Sequence, residues 1–372
     1  MTSKASALPG ENALAFLAGG GELGALMRAK DWSTTPLGLP ETWSRSIKTA
    51  VSICLNSQFP ILLWLGSELR IIYNDAYIPF LGAAKHPAML GEPGTTAWGE
   101  IWPAIASMHD EVQAGRATWV EHYQMFFARK VLHEEVYVTF GYSPILDEDG
   151  VGIEGVFCAC YETTEEVVRE RRLSTLRHLG ERSAEHRTVD GACRAAAEVL
   201  DGNPLDIPFA AFYLLNEEGS SARRVAAARL NGGSGAFPAI HPIASAVAEG
   251  GSWPLGLVAE TGQAAEITDL PGRGWQFTMA PWPDLVRTAF VLPLKSSSQQ
   301  RLAGFLILGV SPRRVLDADY RSFLDLVAGH IATTISDAGA LEDEQRRAEA
   351  LAELDRAKTA FFSSVSHEFR TP

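Results

Sequence analysis

Residues 134–161 read EEVYVTFGYSPILDEDGVGIEGVFCACY, and they predict the centre of a sheet in the N-terminal half of the chain. Apolar and β-branched residues fill two runs, Glu134–Ile145 and Gly152–Tyr161, which is typical of strands. The turn Asp147-Glu148-Asp149-Gly150 lies between them, and Asp and Gly tolerate the dihedral angles of a tight hairpin. The segment therefore predicts an antiparallel hairpin.

Three more strands extend this hairpin on its N-terminal side. Thr118–Phe127 precedes it, and Phe59–Leu65 pairs with Leu69–Tyr73 around a short Gly-containing turn. The apolar residues of Thr42–Leu55 recur at helical spacing, and more helical material with loops runs from 75 to 115. Two strands, several helices and three strands predict a small antiparallel sheet with helices packed on one face, an α+β arrangement.

The C-terminal half begins with a charged connector and then repeats a sheet with helices. The connector helix, 166–186, carries an apolar stripe of Val167, Leu173, Leu176 and Leu179, and its basic run Arg169–Arg172 indicates a solvated face. An α/β/α sheet domain is predicted over 187–316, with a loop-rich middle. Its elements are one helix and four strands: Val189–Leu200, Phe209–Leu215, Arg223–Leu230, Ala289–Leu294 and Leu302–Val310.

Residues 317–372 predict one long helix, because helix formers continue without a proline until Pro372. Mostly small or apolar residues step by three and four along it, as in the seam of a coiled coil. The seam consists of Val327, Ile331, Thr334, Ala338, Leu341, Gln345 and Ala348, then Leu351, Leu354, Lys358, Phe361 and Val365. Two successive three-residue steps at 345–351 shift its frame and mark a candidate two-state element. A stripe this narrow has nothing in its own chain to pack against, so a parallel coiled-coil homodimer is predicted.

Composition excludes several classes of protein. Thirty-two Lys and Arg against 45 Asp and Glu leave a formal net charge of −13. An acidic chain gains little from polyanions, so neither nucleic acid nor a membrane surface is expected as a partner. The longest apolar run, near Phe59–Leu65, is far shorter than the roughly 18 residues that suggest a membrane span, and no signal-peptide pattern is present. Four cysteines, at 54, 158, 160 and 193, predict reduced thiols in a cytoplasmic protein.

The most specific motif ends the sequence. Residues 358–372 read KTAFFSSVSHEFRTP and closely resemble the H-box that opens the dimerisation and phosphotransfer domain of sensor histidine kinases. A neutral imidazole is a competent nucleophile near neutral pH, so His367 can attack a γ-phosphoryl group. The resemblance implies that His367 is the phospho-acceptor and that Glu368 orients it and accepts its other proton. Pro372 would kink the helix just beyond the site.

Ordered short strings carry two further resemblances. The first, over 22–165, is to a PAS domain, and its strings include Asp31-Trp32-Ser33, Tyr73-Asn74-Asp75-Ala76-Tyr77, Trp98-Gly99-Glu100-Ile101-Trp102 and Glu162-Thr163-Thr164. The second is to a GAF domain, carried by Asp206-Ile207-Pro208-Phe209-Ala210 and by the strands ending Pro293-Leu294 and Gly304-Phe305-Leu306. The expected organisation is an N-terminal extension (1–41), a PAS-like domain (42–165), the connector (166–186), a GAF-like domain (187–316) and a signalling helix with the start of the phospho-acceptor domain (317–372).

The chain thus resembles the N-terminal sensory part of a soluble bacterial histidine kinase of the hybrid type. The resemblance implies that a cytosolic signal controls ATP-dependent autophosphorylation of His367, with phosphoryl transfer to the receiver domain of a response regulator. Residues 1–372 contain no ATP-binding motif of the family and no P-loop. The chain is therefore expected to be inactive alone, and ATP and Mg²⁺ are expected to be bound by a catalytic domain that it lacks. The alternative is a ligand-binding or dimerisation scaffold with a non-functional H-box.

The sequence contains only weak indications of a cofactor site, and no cofactor is expected within this chain. A small-molecule ligand remains a possible partner. The Asn-Cys-Arg-Phe string of photoadduct flavin domains is absent, and no cysteine follows Cys193, which disfavours covalent bilin attachment. Asp206-Ile207-Pro208 is similar to a phytochrome string but precedes the first strand of its sheet, and it is interpreted as the start of that strand. His109 and His122 are the candidates for an axial haem ligand in the first domain.

Three other groups of residues resemble metal or ligand sites but are interpreted as structural. Cys158 and Cys160 share one face of a strand but lack a partner pair for a four-ligand metal site. Asp147 and Asp149 mimic a calcium loop, yet Cys158 stands where its final Glu is needed. The tryptophans of 98–102 and 253–282 predict core packing, with an aromatic ligand pocket as the alternative.

Overall fold

The computed structural model describes residues 13–131, 133–183, 187–230, 235–243, 252–279, 282–295 and 302–368, without the side chains of 183 and 360–368. The chain divides into two compact units, Met1–Val168 and Arg169–Pro372. Each contains one antiparallel sheet with helices, so the predicted mixed α/β class with antiparallel sheets is confirmed. In the described part of the chain, every helix is too short or too polar to cross a lipid bilayer.

The first unit is built on a five-stranded sheet of order β2-β1-β5-β4-β3, antiparallel throughout. Its strands are β1 (Ile61–Leu65), β2 (Arg70–Tyr73), β3 (Thr118–Phe127), β4 (Glu134–Leu146) and β5 (Ile153–Glu162). Its helices are α1 (Gly21–Ala29), α2 (Arg45–Asn56), α3 (Ile78–Leu81), α4 (Gly94–Ala97) and α5 (Trp102–Gln113). All five predicted strands are present within about two residues of their expected bounds, as strong alternation allows.

Local chemistry sets the ends of these elements. Ser44 begins α2, because its side-chain oxygen accepts a hydrogen bond from the backbone N–H of Ile47 at 3.1 Å. In the β4–β5 turn the carboxylate of Asp147 accepts from the N–H groups of Val151 and Gly152 at 3.0 and 2.9 Å. The carboxylate that resembled a calcium ligand is therefore engaged in closing the hairpin.

One apolar core fills the space between this sheet and the helices. It includes the inward faces of all five strands and extends to residues before α2, with Leu17, Leu23, Met27 and Trp32 all buried. Burial of this kind contributes roughly 25 cal/mol per Å² of apolar surface.

The connector is α6 (Thr164–Ser183), and residues 184–186 lie outside the described part. Its start is fixed to the sheet by a hydrogen bond from the N–H of Thr163 to the carbonyl of Tyr137 at 2.8 Å. Leu179 of the predicted apolar stripe is buried, whereas Leu173 is 60% exposed, because the buried face runs through Val168 and Leu179.

The second unit carries a six-stranded sheet of order β8-β7-β6-β11-β10-β9. Its strands are β6 (Ala210–Leu215), β7 (Ser221–Ala228), β8 (Ile240–Pro242), β9 (Ala265–Ile267), β10 (Ala289–Lys295) and β11 (Leu302–Gly309). Its helices besides α6 are α7 (Val189–Asp201), α8 (Leu255–Thr261) and α9 (Ala318–Glu368). The two outer strands and α8 lie in the segment predicted as loop-rich, since three-residue strands leave too little alternation to recognise.

The packing of α9 corrects one prediction. Val327, Ile331 and Ala338, which were assigned to the dimer seam, are buried in the chain's own core against the sheet and α7. The premise that the helix has nothing in its own chain to pack against is wrong for this stretch. Only from Leu341, which is 41% exposed, does the seam lie open. A seam at 3.5-residue spacing and a globular apolar face at 3.6 are nearly identical over three turns, so the sequence could not separate them.

Candidate functional site

The predicted phospho-acceptor segment lies at the end of α9. His367 and Glu368 are the last two residues of this helix, and their side chains are outside the described part. Among the described side chains of α9, that of Ala338 is the last buried one, and those from 343 to 359 are exposed. At 1.5 Å per residue, the helix from Ala338 to His367 spans about 40 Å. The backbone of His367 is therefore carried on an extension that leaves the core of the second unit.

A small cavity of about 30 Å³ lies within the core of the first unit. Its lining includes the side chains of Trp64, Tyr77, Trp98, Tyr142 and the two thiols of β5. A water molecule needs roughly 10–15 Å³ of such space, whereas sites for drug-sized ligands begin near about 300 Å³. As it stands, the cavity has room for about two waters, and a flavin or a haem would require the core to open.

Beside this cavity, His109 is buried among aromatic rings. Its ring centroid lies 4.6 Å from that of Trp64 and 4.7 Å from that of Tyr142. Within the described residues neither ring nitrogen of His109 has a hydrogen-bond partner, nor do the indole N–H groups of Trp64 and Trp98. Burial lowers the pKa of His109 to about 4, so the ring is neutral near pH 7. Water or a small polar ligand could satisfy these buried groups.

The second haem candidate, His122, has different surroundings. It is exposed at an irregularity of β3 and adopts a φ of 48°. Its Nδ1 lies 3.0 Å from the hydroxyl of Thr163, just before α6. The structure therefore does not bring His122 to the cavity beside His109.

The thiols of Cys158 and Cys160 face the core from β5, as their alternation predicted. Burial raises the pKa of Cys158, which disfavours its reactive thiolate form. Across the residues that the structure describes, no group of three or more His, Cys, Asp or Glu side chains is placed to hold a metal ion.

In the second unit the predicted aromatic core is confirmed. Trp253 stacks on Trp275 with ring centroids 4.4 Å apart and on Phe237 at 5.2 Å, and all three side chains are buried. Trp282 instead lies beneath the guanidinium of Arg313 at 4.4 Å. These rings fill the sheet face opposite α7 and α9.

Sequence reasoning missed a charged cluster around Asp206. This carboxylate, which precedes β6, is fully buried and pairs with Arg171 and Arg172 of α6. The interpretation of Arg169–Arg172 as a solvated face is wrong for these two residues, whose side chains are only 17% and 12% exposed. The available signal was an acidic residue within the apolar run 205–215, since a buried charge requires a partner.

At the N-terminal end of α6 a second arginine cluster has the same character. Arg129, 5% exposed, pairs with Glu134 at 2.9 Å and with Glu162 at 2.7 Å. Burial opposes ionisation of Glu162, yet Arg129 outweighs it and lowers the pKa of this carboxyl. Buried arginine–carboxylate pairs thus occur just before α6, at Arg129, and within its first half, at Arg171 and Arg172.

Comparison with known families identifies part of the chain. Residues 182–336 match the family described as the GAF domain. This segment forms a GAF domain. It contains the whole six-stranded sheet, the last residues of α6 and α9 as far as Ser336, two residues before the buried Ala338.

Solved structures include similar GAF domains. One from an Acinetobacter phosphoenolpyruvate-protein phosphotransferase is 14% identical over 46% of this chain and 97% of its own, with a TM-score of 0.33. One from the Coxiella burnetii phosphotransferase ptsP is 17% identical over 46% of this chain and 96% of its own, with a TM-score of 0.34. No curated protein matches the chain. The GAF domain is a general signal-sensing module.

Proposed function

We propose that this chain is the sensory input region of a two-component histidine kinase whose phospho-acceptor is His367. The observation that carries the proposal is the string Ser366-His367-Glu368-Phe369-Arg370-Thr371-Pro372. Its first three residues end the helix that leaves the GAF domain. An exposed helical extension suits a residue that must be reached by both a catalytic domain and a receiver domain.

The chemistry needs little from the surroundings of the imidazole. A neutral ring nitrogen of His367 attacks the γ-phosphorus of ATP, the bond to ADP breaks, and the proton on the other nitrogen passes toward Glu368. Mg²⁺ and the ATP site belong in this proposal to a separate catalytic domain. A response-regulator receiver domain then takes the phosphoryl group from His367.

The first unit is proposed to be a PAS domain. Support comes from the two-strand, helical and three-strand arrangement over β1–β5, on which the ordered strings of the sequence lie. Its buried, unsatisfied polar groups near His109 make it the candidate site for a small ligand. The cytosol is the proposed source of that signal.

The proposal also includes a parallel homodimer formed beyond the GAF core. Leu341, Leu351 and Leu354 are 41%, 67% and 67% exposed, although leucine is among the residues most often buried. Packing two copies of this stretch in a coiled coil would cover these side chains.

Phosphorylation tests the proposal directly. The chain is incubated with Mg²⁺-ATP and a purified histidine-kinase catalytic domain, and we expect acid-labile, base-stable phosphate on His367. His367→Gln should abolish the label, whereas His330→Gln, at an exposed histidine of the same helix, should retain it. The chain without the added catalytic domain should incorporate no label. If no combination labels the chain, a scaffold with a non-functional H-box is the better description.

A further inference from the structure

The cluster around Asp206 joins three separate parts of the second unit. Its carboxylate accepts from Nε of Arg171 at 2.7 Å, from Nε of Arg172 at 3.1 Å and from the amide of Asn203 at 3.1 Å. The hydroxyl of Tyr320, in the first turn of α9, donates to the backbone carbonyl of Asp206 and accepts from the N–H of Ser311 at 2.9 Å. Helices α6 and α9 therefore both contact Asp206, α6 at its carboxylate and α9 at its backbone carbonyl.

The two arginines make different contacts beyond this shared anion. The guanidinium of Arg172 lies 4.4 Å from the ring centroid of Tyr320 and 5.2 Å from that of Phe323, both on α9. Cation–π contacts of this kind strengthen when they are shielded from water. Arg172 thus contacts the anion and two aromatic rings of α9 at the same time.

The carboxylate of Asp206 has two arginine partners in this cluster. One carboxylate faces two guanidinium groups, and Nη2 of Arg172 is buried without a hydrogen-bond partner among the described residues. In a one-to-one buried pair, separation leaves a charge uncompensated, which is strongly unfavourable. Here either arginine can withdraw while the other keeps Asp206 paired, so the barrier to exchange is lower than in a simple pair.

Arg171 and Arg172 are adjacent in sequence and therefore project from α6 about 100° apart, given 3.6 residues per turn. Asp206 lies between these two directions, since it is bonded to both. We propose that Asp206 is the pivot of a rotational switch, in which a turn of α6 about its axis withdraws Arg172 from Tyr320 and Phe323 while Arg171 holds the anion. The first turns of α9 are then released from α6.

This inference rests on the proposed sensory function, because it concerns how that function is regulated. The two arrangements of α6 can nevertheless be tested without any signal ligand. A ligand that favours one rotation of α6 would shift the population of the two arrangements by its differential affinity for them. Helix α9, which carries His367, would receive that shift at its N-terminal end.

Hydrogen–deuterium exchange of the full chain tests the pivot, because substitutions of the neighbouring residues Arg171 and Arg172 should affect exchange in α9 differently. Arg172→Gln imitates the withdrawn state and should speed exchange of peptides covering 318–335 by about thirtyfold, the scale of a desolvated cation–π contact. Arg171→Gln leaves the Arg172 contacts in place and should change exchange there by less than about twofold. Asp190→Asn, which removes the exposed Asp190–Arg223 pair, is the matched control and should change nothing in these peptides.

Equal effects from the two arginine variants, or no effect from either, would overturn the pivot. Each variant must first show a single cooperative thermal transition. If Arg172→Gln lacks one, Arg171→Lys and Arg172→Lys are compared by the same criterion, because both retain the charge and differ only in which planar group is lost. Since no phosphate is measured, these results stand apart from the test of His367.

Discussion

His109 lies between Trp64 and Tyr142 with both ring nitrogens unpartnered in the described part of the chain. Burial lowers its pKa in the folded chain to about 4, against about 6.5 for an unfolded histidine. Between these values the unfolded chain binds a proton that the folded chain does not, so stability rises with pH. The contribution is fully present above about pH 6.5 and is lost as the pH falls toward 4.

We therefore expect the free energy of unfolding to drop by about 2 kcal/mol more between pH 7 and pH 5 in the natural chain than in His109→Phe. Phenylalanine suits the aromatic surroundings and does not titrate, so other ionisable groups cancel in the comparison. Urea unfolding followed by tryptophan fluorescence measures the difference. His178→Phe, at an exposed histidine of α6, should keep the natural pH dependence. An unchanged slope in His109→Phe would contradict the assignment.

Asp206 is the second residue whose burial has a measurable consequence. Burial opposes its ionisation, but Arg171 and Arg172 outweigh that effect and hold the pKa of the carboxyl below its usual value. Asp206→Asn removes the buried carboxylate that both guanidinium groups contact and should cost about 3–5 kcal/mol in urea unfolding. Asp190→Asn removes an exposed pair and should cost less than about 1 kcal/mol. Similar losses in both variants would show that the Asp206 cluster is not a strong interaction.

At the scale of elements, α9 changes its role along its length. Up to Ala338 it packs on the GAF sheet, and beyond Leu341 it exposes leucines to solvent. Mutations in the two stretches should therefore have different effects, on folding in the first and on association in the second.

Leu341→Lys with Leu354→Lys should convert the proposed dimer into monomers without unfolding the GAF domain, because both side chains are exposed in the single chain. Sedimentation velocity measures the association state, and circular dichroism reports the fold. Leu326→Lys is the control, since Leu326 is exposed on α9 by 54% but lies outside the seam. If only Leu326→Lys dissociates the dimer, the interface lies on the GAF part of α9.

At the scale of the whole molecule, the apolar cores are separate in sequence. The core of the first unit draws its fully buried residues from 17–160, and the two cores of the second unit draw theirs from 179–335. No described core residue of one unit is needed to complete the sheet of the other.

Fragments 1–183 and 164–372 should consequently each fold alone. We expect a cooperative thermal transition and a near-ultraviolet circular dichroism signal from both. Fragment 1–146 is the control, because it lacks β5, which lies between β1 and β4 in the sheet, and should not fold. A long fragment without fixed aromatic signals would show that the units depend on each other.

Nine of the eleven described strands, all but the three-residue β8 and β9, and most of the helices were predictable from the sequence alone. Period-two alternation, the Asp-Gly turn at 147–150 and the helical spacing of 42–55 are local properties, and local dihedral preferences depend little on distant residues. The string around His367 is equally local, and the phospho-acceptor role that it implies remains a prediction because its side chains are outside the described part.

What only the tertiary structure decided is which partner each face meets. The sequence shows that Arg171 and Arg172 are basic and that Val327 and Ile331 are apolar, but not that Asp206 and the GAF sheet lie opposite them. The two ion pairs join residues that are more than thirty positions apart in the sequence. Burial and charge pairing depend on the residues that folding brings close in space. Whether a helix face is solvated, packs in its own chain or binds a second chain is therefore decided only by the tertiary structure.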